Sequence, residues 1–248
     1  MARALSAQSG GSAWYKGIRR ASLGTGQAIR TMRTLYRLVV LSLAGISSRT
    51  INFDAAAPGA VPPGWTVAMT NSGAPAKWQV LKDSTAPSPP NVFAQVSKDA
   101  GQNRFPLAIL NNLEIQDGEL SVKIKPVSGA EDRCGGLVWR YHDPNNYYLV
   151  RANALENNVI LFKVEHGKRT NLPPKGGPAT VYGVSHPVPA HQWSVLKVQF
   201  HGPLFSVYFN HRRLFQAVDS TFRGPGHVGL WTKADSVTYF DDFSVTGK

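Results

Sequence analysis

The chain has 248 residues, of which 42% are hydrophobic and 17% charged, with a formal net charge of +12. That balance is too apolar for a disordered chain and supplies a sizeable core, while the length fits a single all-β sandwich, a class that reaches about 200 residues as one unit. The charge is uneven: residues 1–50 carry eight Lys or Arg and no acid, leaving 19 basic and 15 acidic residues behind them. No Lys/Arg run longer than two follows that segment, so a nucleic-acid partner is not expected.

The basic start reads as a leader. From Met32 a short basic stretch precedes an apolar run, Leu38 to Ile46, and then Ser47-Ser48, which is the layout of a secretory signal peptide cut near those serines. A run of nine residues falls well short of the roughly 20 that span a bilayer, so no permanent membrane span is expected. Residues 1–31 are then surplus, consistent with a start codon assigned upstream of Met32. Two competing readings are a transit peptide and a twin-arginine signal. Ile18-Arg-Arg-Ala-Ser-Leu23 has the paired arginines of such a signal but not its flanking residues. The expected division is a leader over residues 1–50 and an exported domain, periplasmic or extracellular, over 51–248. With one cysteine, Cys134, that domain has no internal disulfide and rests on its core.

After the leader the chain breaks into short segments bounded by Gly, Pro, Asn or Asp. Strands are expected at Thr50 to Asp54, Trp65 to Met69, Trp78 to Leu81, Val92 to Val96, Ala108 to Leu110, Gly118 to Lys125, Leu137 to Tyr141, Tyr147 to Arg151, Val159 to Glu165, Trp193 to Phe200, Leu204 to Phe209, Arg213 to Val218, His227 to Trp231 and Ser236 to Val245. Leu120 to Lys125 and Trp193 to Phe200 alternate apolar and polar residues, the mark of a sheet with one buried face. His142-Asp-Pro-Asn-Asn146 reads as the turn of one hairpin and Asn210-His211 as the tip of another. No helical stripe is present after residue 50. The fold class is therefore all-β, a two-sheet antiparallel sandwich of the jelly-roll kind after an N-terminal leader.

Three segments together, Gly135 to Arg151, Val207 to Phe215 and Gly226 to Phe243, resemble the bacterial laminin-G-like, concanavalin-A-like jelly-roll domains, and in particular the exported 3-keto-disaccharide hydrolase (DUF1080) domain. The resemblance covers roughly Asn52 to Thr246 and implies sugar recognition on a concave sheet. The Glu-x-Asp-x-x-Glu and Glu-x-Asp-x-Glu strand motifs of the superfamily's hydrolytic members are absent. The nearest acidic cluster, Glu114 to Glu119, contains the turn signal Asp117-Gly118 and is expected at a loop edge.

The expected ligand surface is the Leu137–Arg151 hairpin. Trp139, Tyr141 and Tyr148 offer rings to stack on pyranoses, and Arg140 and Arg151 offer guanidinium groups to hydroxyls or carboxylates. Against this, alternation sends half of these side chains inward, with Trp139 and Tyr141 on the Leu137 face and Arg140 opposite. His142 beside Asp143 is a candidate general base. Asp54 and Asp242, at the two ends of the domain, are candidate calcium ligands; otherwise no cofactor is expected, and the remaining histidines lack metal-ligand spacing. The reading is an exported, lectin-like carbohydrate-binding module with no recognisable catalytic motif. Alternatives are a glycoside-cleaving enzyme of the keto-disaccharide type and a structural or protein-interaction module; the sequence leaves sugar identity and oligomeric state open.

Overall fold

In a computed structural model, residues 47–248 are described, and every regular element among them is a strand. In chain order these are β1 (Ser47–Ile51), β2 (Trp65–Thr70), β3 (Trp78–Lys82), β4 (Asn91–Gln95), β5 (Phe105–Ile115), β6 (Gly118–Ser128), β7 (Cys134–Asp143), β8 (Asn146–Asn153), β9 (Asn158–Glu165), β10 (Lys168–Leu172), β11 (Val184–Ser185), β12 (Ser194–His201), β13 (Leu204–Phe209), β14 (Arg212–Val218), β15 (Gly226–Trp231) and β16 (Val237–Gly247). The start at Met32, the signal-like run and the twin-arginine segment lie outside the described residues. β1 takes Ser47–Thr50 into the sheet, so the folded part begins ahead of the expected boundary at residue 51.

The strands form two antiparallel sheets. Sheet A runs β14-β13-β12-β6-β16-β4-β3, with β1 also on β16; sheet B runs β10-β9-β8-β7-β15-β5-β2, with β11 also on β9. The alternating residues of β6 and β12 send Leu120, Val122, Ile124, Leu196, Val198 and Phe200 inward and leave Lys123 and Lys197 on the outer face. Sheet B supplies Leu137, Trp139, Tyr148, Val150, Val159 and Leu161 to the same core. Aromatic pairs knit the layers together: Trp139 stacks on Tyr148 at 5.6 Å and on Phe200 at 5.8 Å, and Trp65 meets Phe243 edge-on at 5.3 Å.

Sheet B differs from sheet A because it is apolar on both faces. Phe105, Leu107, Ile109, Val138, Tyr147, Leu149, Ile160, Phe162, Val164 and Trp231 form a second cluster on its far side. Those side chains are buried because the sheet curls. β9 and β5 stand four strand spacings apart, about 19 Å on a flat sheet, yet the guanidinium of Arg169 lies 4.5 Å from the Phe162 ring and 5.0 Å from the Phe105 ring. At one end of the curl the edge strand closes on the opposite hairpins: Thr70 Oγ1 donates to Pro144 O at 2.5 Å and meets Tyr147 Oη at 2.7 Å. Beside it, Asn71 Nδ2 donates to Asn103 O at 2.9 Å and to Gly167 O at 3.4 Å.

Candidate functional site

The β7–β8 hairpin forms where the sequence places it, with longer strands and a two-residue turn, Pro144-Asn145. Its register slips between Trp139 and Asp143, and Arg140 sits in the left-handed region at φ 47°. That bulge reorients the last residues of β7. Trp139 stays in the inter-sheet core, fully buried, but Tyr141 turns to the far side of sheet B and packs near Tyr147, its ring 5.9 Å away. The expectation that Tyr141 shares the Leu137 face is therefore corrected: simple alternation ends at the bulge. Burial, and then the charge of Asp143, push the Tyr141 hydroxyl up to about 12. Gly226 on β15 makes the bulge possible, since a Cβ there would lie 2.7 Å from the Arg140 carbonyl carbon.

Trp139 and Tyr148 are both fully buried in the inter-sheet core and have no face to offer a sugar. The Tyr148 hydroxyl donates to Asp219 at 2.5 Å and accepts from Phe222 N at 3.0 Å. Burial works against ionised Asp219, yet the hydrogen bonds from Tyr148 and Thr221 outweigh it and hold the carboxyl below its ordinary value. Arg140 reaches the end of the sandwich, where it donates to the carbonyls of Gln116, Phe222 and Gly202 and lies 3.4 Å from Asp117. It is a clamp whose donors are used within the protein. Arg151 is on the concave face but fully buried, with Nη2 donating to Glu156 at 2.6 Å and to Asn158 at 3.1 Å. His142 is exposed against Phe222, whereas the Asp143 carboxylate accepts from Asn145 N and Asn146 Nδ2 and fastens the turn. Of the two residues expected to act as a base, Asp143 holds the hairpin turn, and His142 lies exposed beside Phe222.

The open site lies at the closed end of the curl and uses a strand that sequence reasoning missed. β9 and β10 are joined by His166-Gly167 at φ 52° and 77°, the two positive values a tight type I′ hairpin requires. Next to this turn a pocket of about 540 Å³ is lined by Asn71, Ser72, Asn103, Phe105, His166, Gly167, Lys168 and Arg169. The Arg169 guanidinium is held among the rings of Phe162, Phe105 and Trp231, at 4.5, 5.0 and 5.7 Å. Its Nη1 is buried without a hydrogen-bond partner. Burial, and then the nearby Arg151 charge, lower the pKa of Arg169 from its ordinary value. The site thus joins an aromatic floor to convergent amide, hydroxyl, imidazole and cationic groups, a combination suited to a small polar ligand.

Acidic groups gather elsewhere. Asp54, Asp241 and Asp242 surround the Ser88–Asn91 loop, and each accepts from the protein: Asp54 from Asn91 N at 3.1 Å, Asp241 from Ser88 N at 2.8 Å, Asp242 from Ser88 Oγ at 2.7 Å. Lys123 lies 2.7 Å from Asp242. Burial first, with the charges of Asp242 and Asp54, pushes the Asp241 carboxyl up to about 6. Asp54 and Asp242, the expected calcium ligands, therefore lie in one region. Among the described residues, however, no three His, Cys, Asp or Glu side chains are grouped to hold a metal ion. Their observed work is to tie the first and last segments of the domain to one loop.

No family model and no curated protein matches the chain. Solved structures do share its fold. The carbohydrate-binding module CBM66 from Bacillus subtilis superimposes with a TM-score of 0.54 at 22% identity, over 73% of this chain and 94% of that one. The cellulose-induced protein Cip1 gives 0.57 at 11% identity, over 81% and 97%. A protein of unknown function, SO2946 from Shewanella oneidensis MR-1, gives 0.52 at 13%, over 90% and 96%. At these identities the likeness establishes the architecture, a jelly-roll β-sandwich, and not the ligand.

Proposed function

We propose that the protein is a carbohydrate-binding jelly-roll module that seats a saccharide in the pocket at the closed end of sheet B. The observation that carries this reading is the pocket itself, in which Asn71, Ser72, Asn103 and His166 stand over the Phe105 floor beside Lys168 and Arg169. Sugars offer hydroxyls to amide and hydroxyl groups, and this polar lining matches them, with the buried Phe105 ring closing the pocket beneath. The fold shared with a carbohydrate-binding module from Bacillus subtilis supports the same reading. Export rests on the sequence of residues 32–48 and is tested by N-terminal sequencing of protein recovered from the producing cell.

A glycoside-cleaving activity of the keto-disaccharide type has less behind it. That reading calls for a carboxylic acid with a raised pKa in the cleft. Among the described residues the carboxyl so raised is Asp241, which lies under the Ser88–Asn91 loop and does not line the pocket. A glycan screen of the full chain, with reducing-sugar release read on the same samples, separates the two. Binding without turnover is expected, and turnover would replace this reading with a hydrolase.

A further inference from the structure

Four arginines of sheet B and its loops carry large buried portions, and they divide by what neutralises them. Arg104 donates to the carbonyls of Ala74, Ala234 and Pro75 and to Ser97 Oγ. Arg140 is caged by three carbonyls near Asp117, and Arg151 is paired with Glu156 and lies 3.7 Å from Asp132. The Arg169 side chain makes no ion pair or hydrogen bond with any described residue, and the side chain of its neighbour in the pocket wall, Lys168, makes none either. No Asp or Glu is among the described residues lining that pocket. Two cations thus line one cavity with no carboxylate within ion-pair distance, and Asp132 acts on Arg169 only from farther off; three ring contacts at roughly 0.5–2 kcal/mol each recover only part of the cost of taking a guanidinium out of water.

From this juxtaposition we infer that the ligand is an acidic saccharide, whose carboxylate supplies the counter-charge missing at Arg169 and Lys168 while its neutral hydroxyls meet Asn71, Ser72 and Asn103. The inference rests on the carbohydrate-binding reading and narrows it to one class of sugar. The rings of Phe105, Phe162 and Trp231 pack around the guanidinium and hold it in place, so little side-chain freedom is lost on binding. Lys168, exposed on the turn, adds a second positive charge and draws the anion in. His166 lines the same wall.

The test is calorimetric titration of the full chain with three probes: a uronic-acid oligosaccharide, its methyl ester, and an oligosaccharide of the same length that has no carboxylate and carries a sulfate ester. The acid is expected to bind at least 10-fold more tightly than the ester and to weaken as salt rises. Arg169→Gln should remove most of that preference, and Lys168→Gln, an exposed substitution that leaves the fold intact, should reduce it several-fold. Equal affinity for acid and ester overturns the acidic assignment while leaving the saccharide reading in place. Tighter binding of the sulfate than of the uronate overturns the carboxylate in particular. Acid binding unchanged by both substitutions places the ligand elsewhere and overturns the proposal, and no binding of any probe sinks both readings together.

Discussion

Arg140 and Arg169 are both held by sheet B, yet one closes the fold and the other opens onto solvent. Arg140 enters from a bulge at the end of β7 and spends its donors on three backbone carbonyls beside a carboxylate. Arg169 enters from the edge strand β10, stacks among three rings and lacks an acceptor for its buried Nη1. Burial alone therefore does not reveal an arginine's role; the supply of acceptors around it does. A saturated guanidinium is a fastener, and an unsaturated one beside a cavity is a receptor for a ligand that brings the acceptor.

Substitution at Arg140 should break this contrast most visibly. Arg140→Met should cost about 3–5 kcal/mol, because it strands the carbonyls of Gln116, Phe222 and Gly202 and leaves Asp117 to the Gly202 amide and His201. On a domain of this size that is a drop of roughly 10 °C or more in melting temperature. Arg169→Gln removes ring contacts but strands no acceptor, so its cost should stay at about 1–2 kcal/mol, while saccharide affinity falls at least 10-fold. A thermal melt and a titration on both variants check the pair. Equal destabilisation would erase the distinction drawn between the two arginines.

A smaller effect sharpens the contrast between the pocket and the acidic end of the domain. Folding raises the Asp241 carboxyl from an ordinary value near 3.8 to about 6. The folded protein then holds a proton there, between about pH 4 and pH 6, that the unfolded chain has given up. This group's stabilising contribution is therefore complete below about pH 4 and is lost as pH rises through 6. Asp241→Asn keeps an acceptor for Ser88 N, so it should flatten that part of the stability profile and gain about 1–2 kcal/mol at pH 7. Urea titrations at pH 4, 5, 6 and 7 read it directly. Smallest of all is the effect of a chelator. With Asp54, Asp241 and Asp242 bonded to Ser88 and Asn91, and with Lys123 beside Asp242, the melting temperature should not move; a fall of several degrees would restore the calcium reading.

Much of the sandwich was legible because its local chemistry agrees with its global form. The alternation in β6 and β12 predicts their buried faces, and Asn210-His211 forms the predicted tip, at φ 46° and 67°, between Phe209 and Arg212. The site was largely illegible for three physical reasons. Lys168-Arg-Thr-Asn-Leu172 is too polar to read as a strand, although His166-Gly167 behind Val159–Glu165 is a usable hairpin signal. The bulge at Arg140 breaks the period of two, which sends Tyr141 to the face opposite Leu137. Most of all, the pocket unites Asn71, Asn103 and Arg169, which no sequence spacing relates, because sheet B curls until β2 meets the β9–β10 turn.

We place the ligand chemistry at the closed end of the curled sheet and not at the β7–β8 hairpin that draws attention in the sequence. A backbone amide spectrum of the full chain, recorded while a uronic-acid oligosaccharide is titrated in, tests this most directly. The account predicts that shifts concentrate at Asn71, Ser72, Asn103 and His166 to Arg169, with Arg140 and the outer face of sheet A around Lys123 and Lys197 unmoved. Shifts centred on that outer face or on the Arg140 cage, or a spectrum unchanged at saturating sugar, would contradict it.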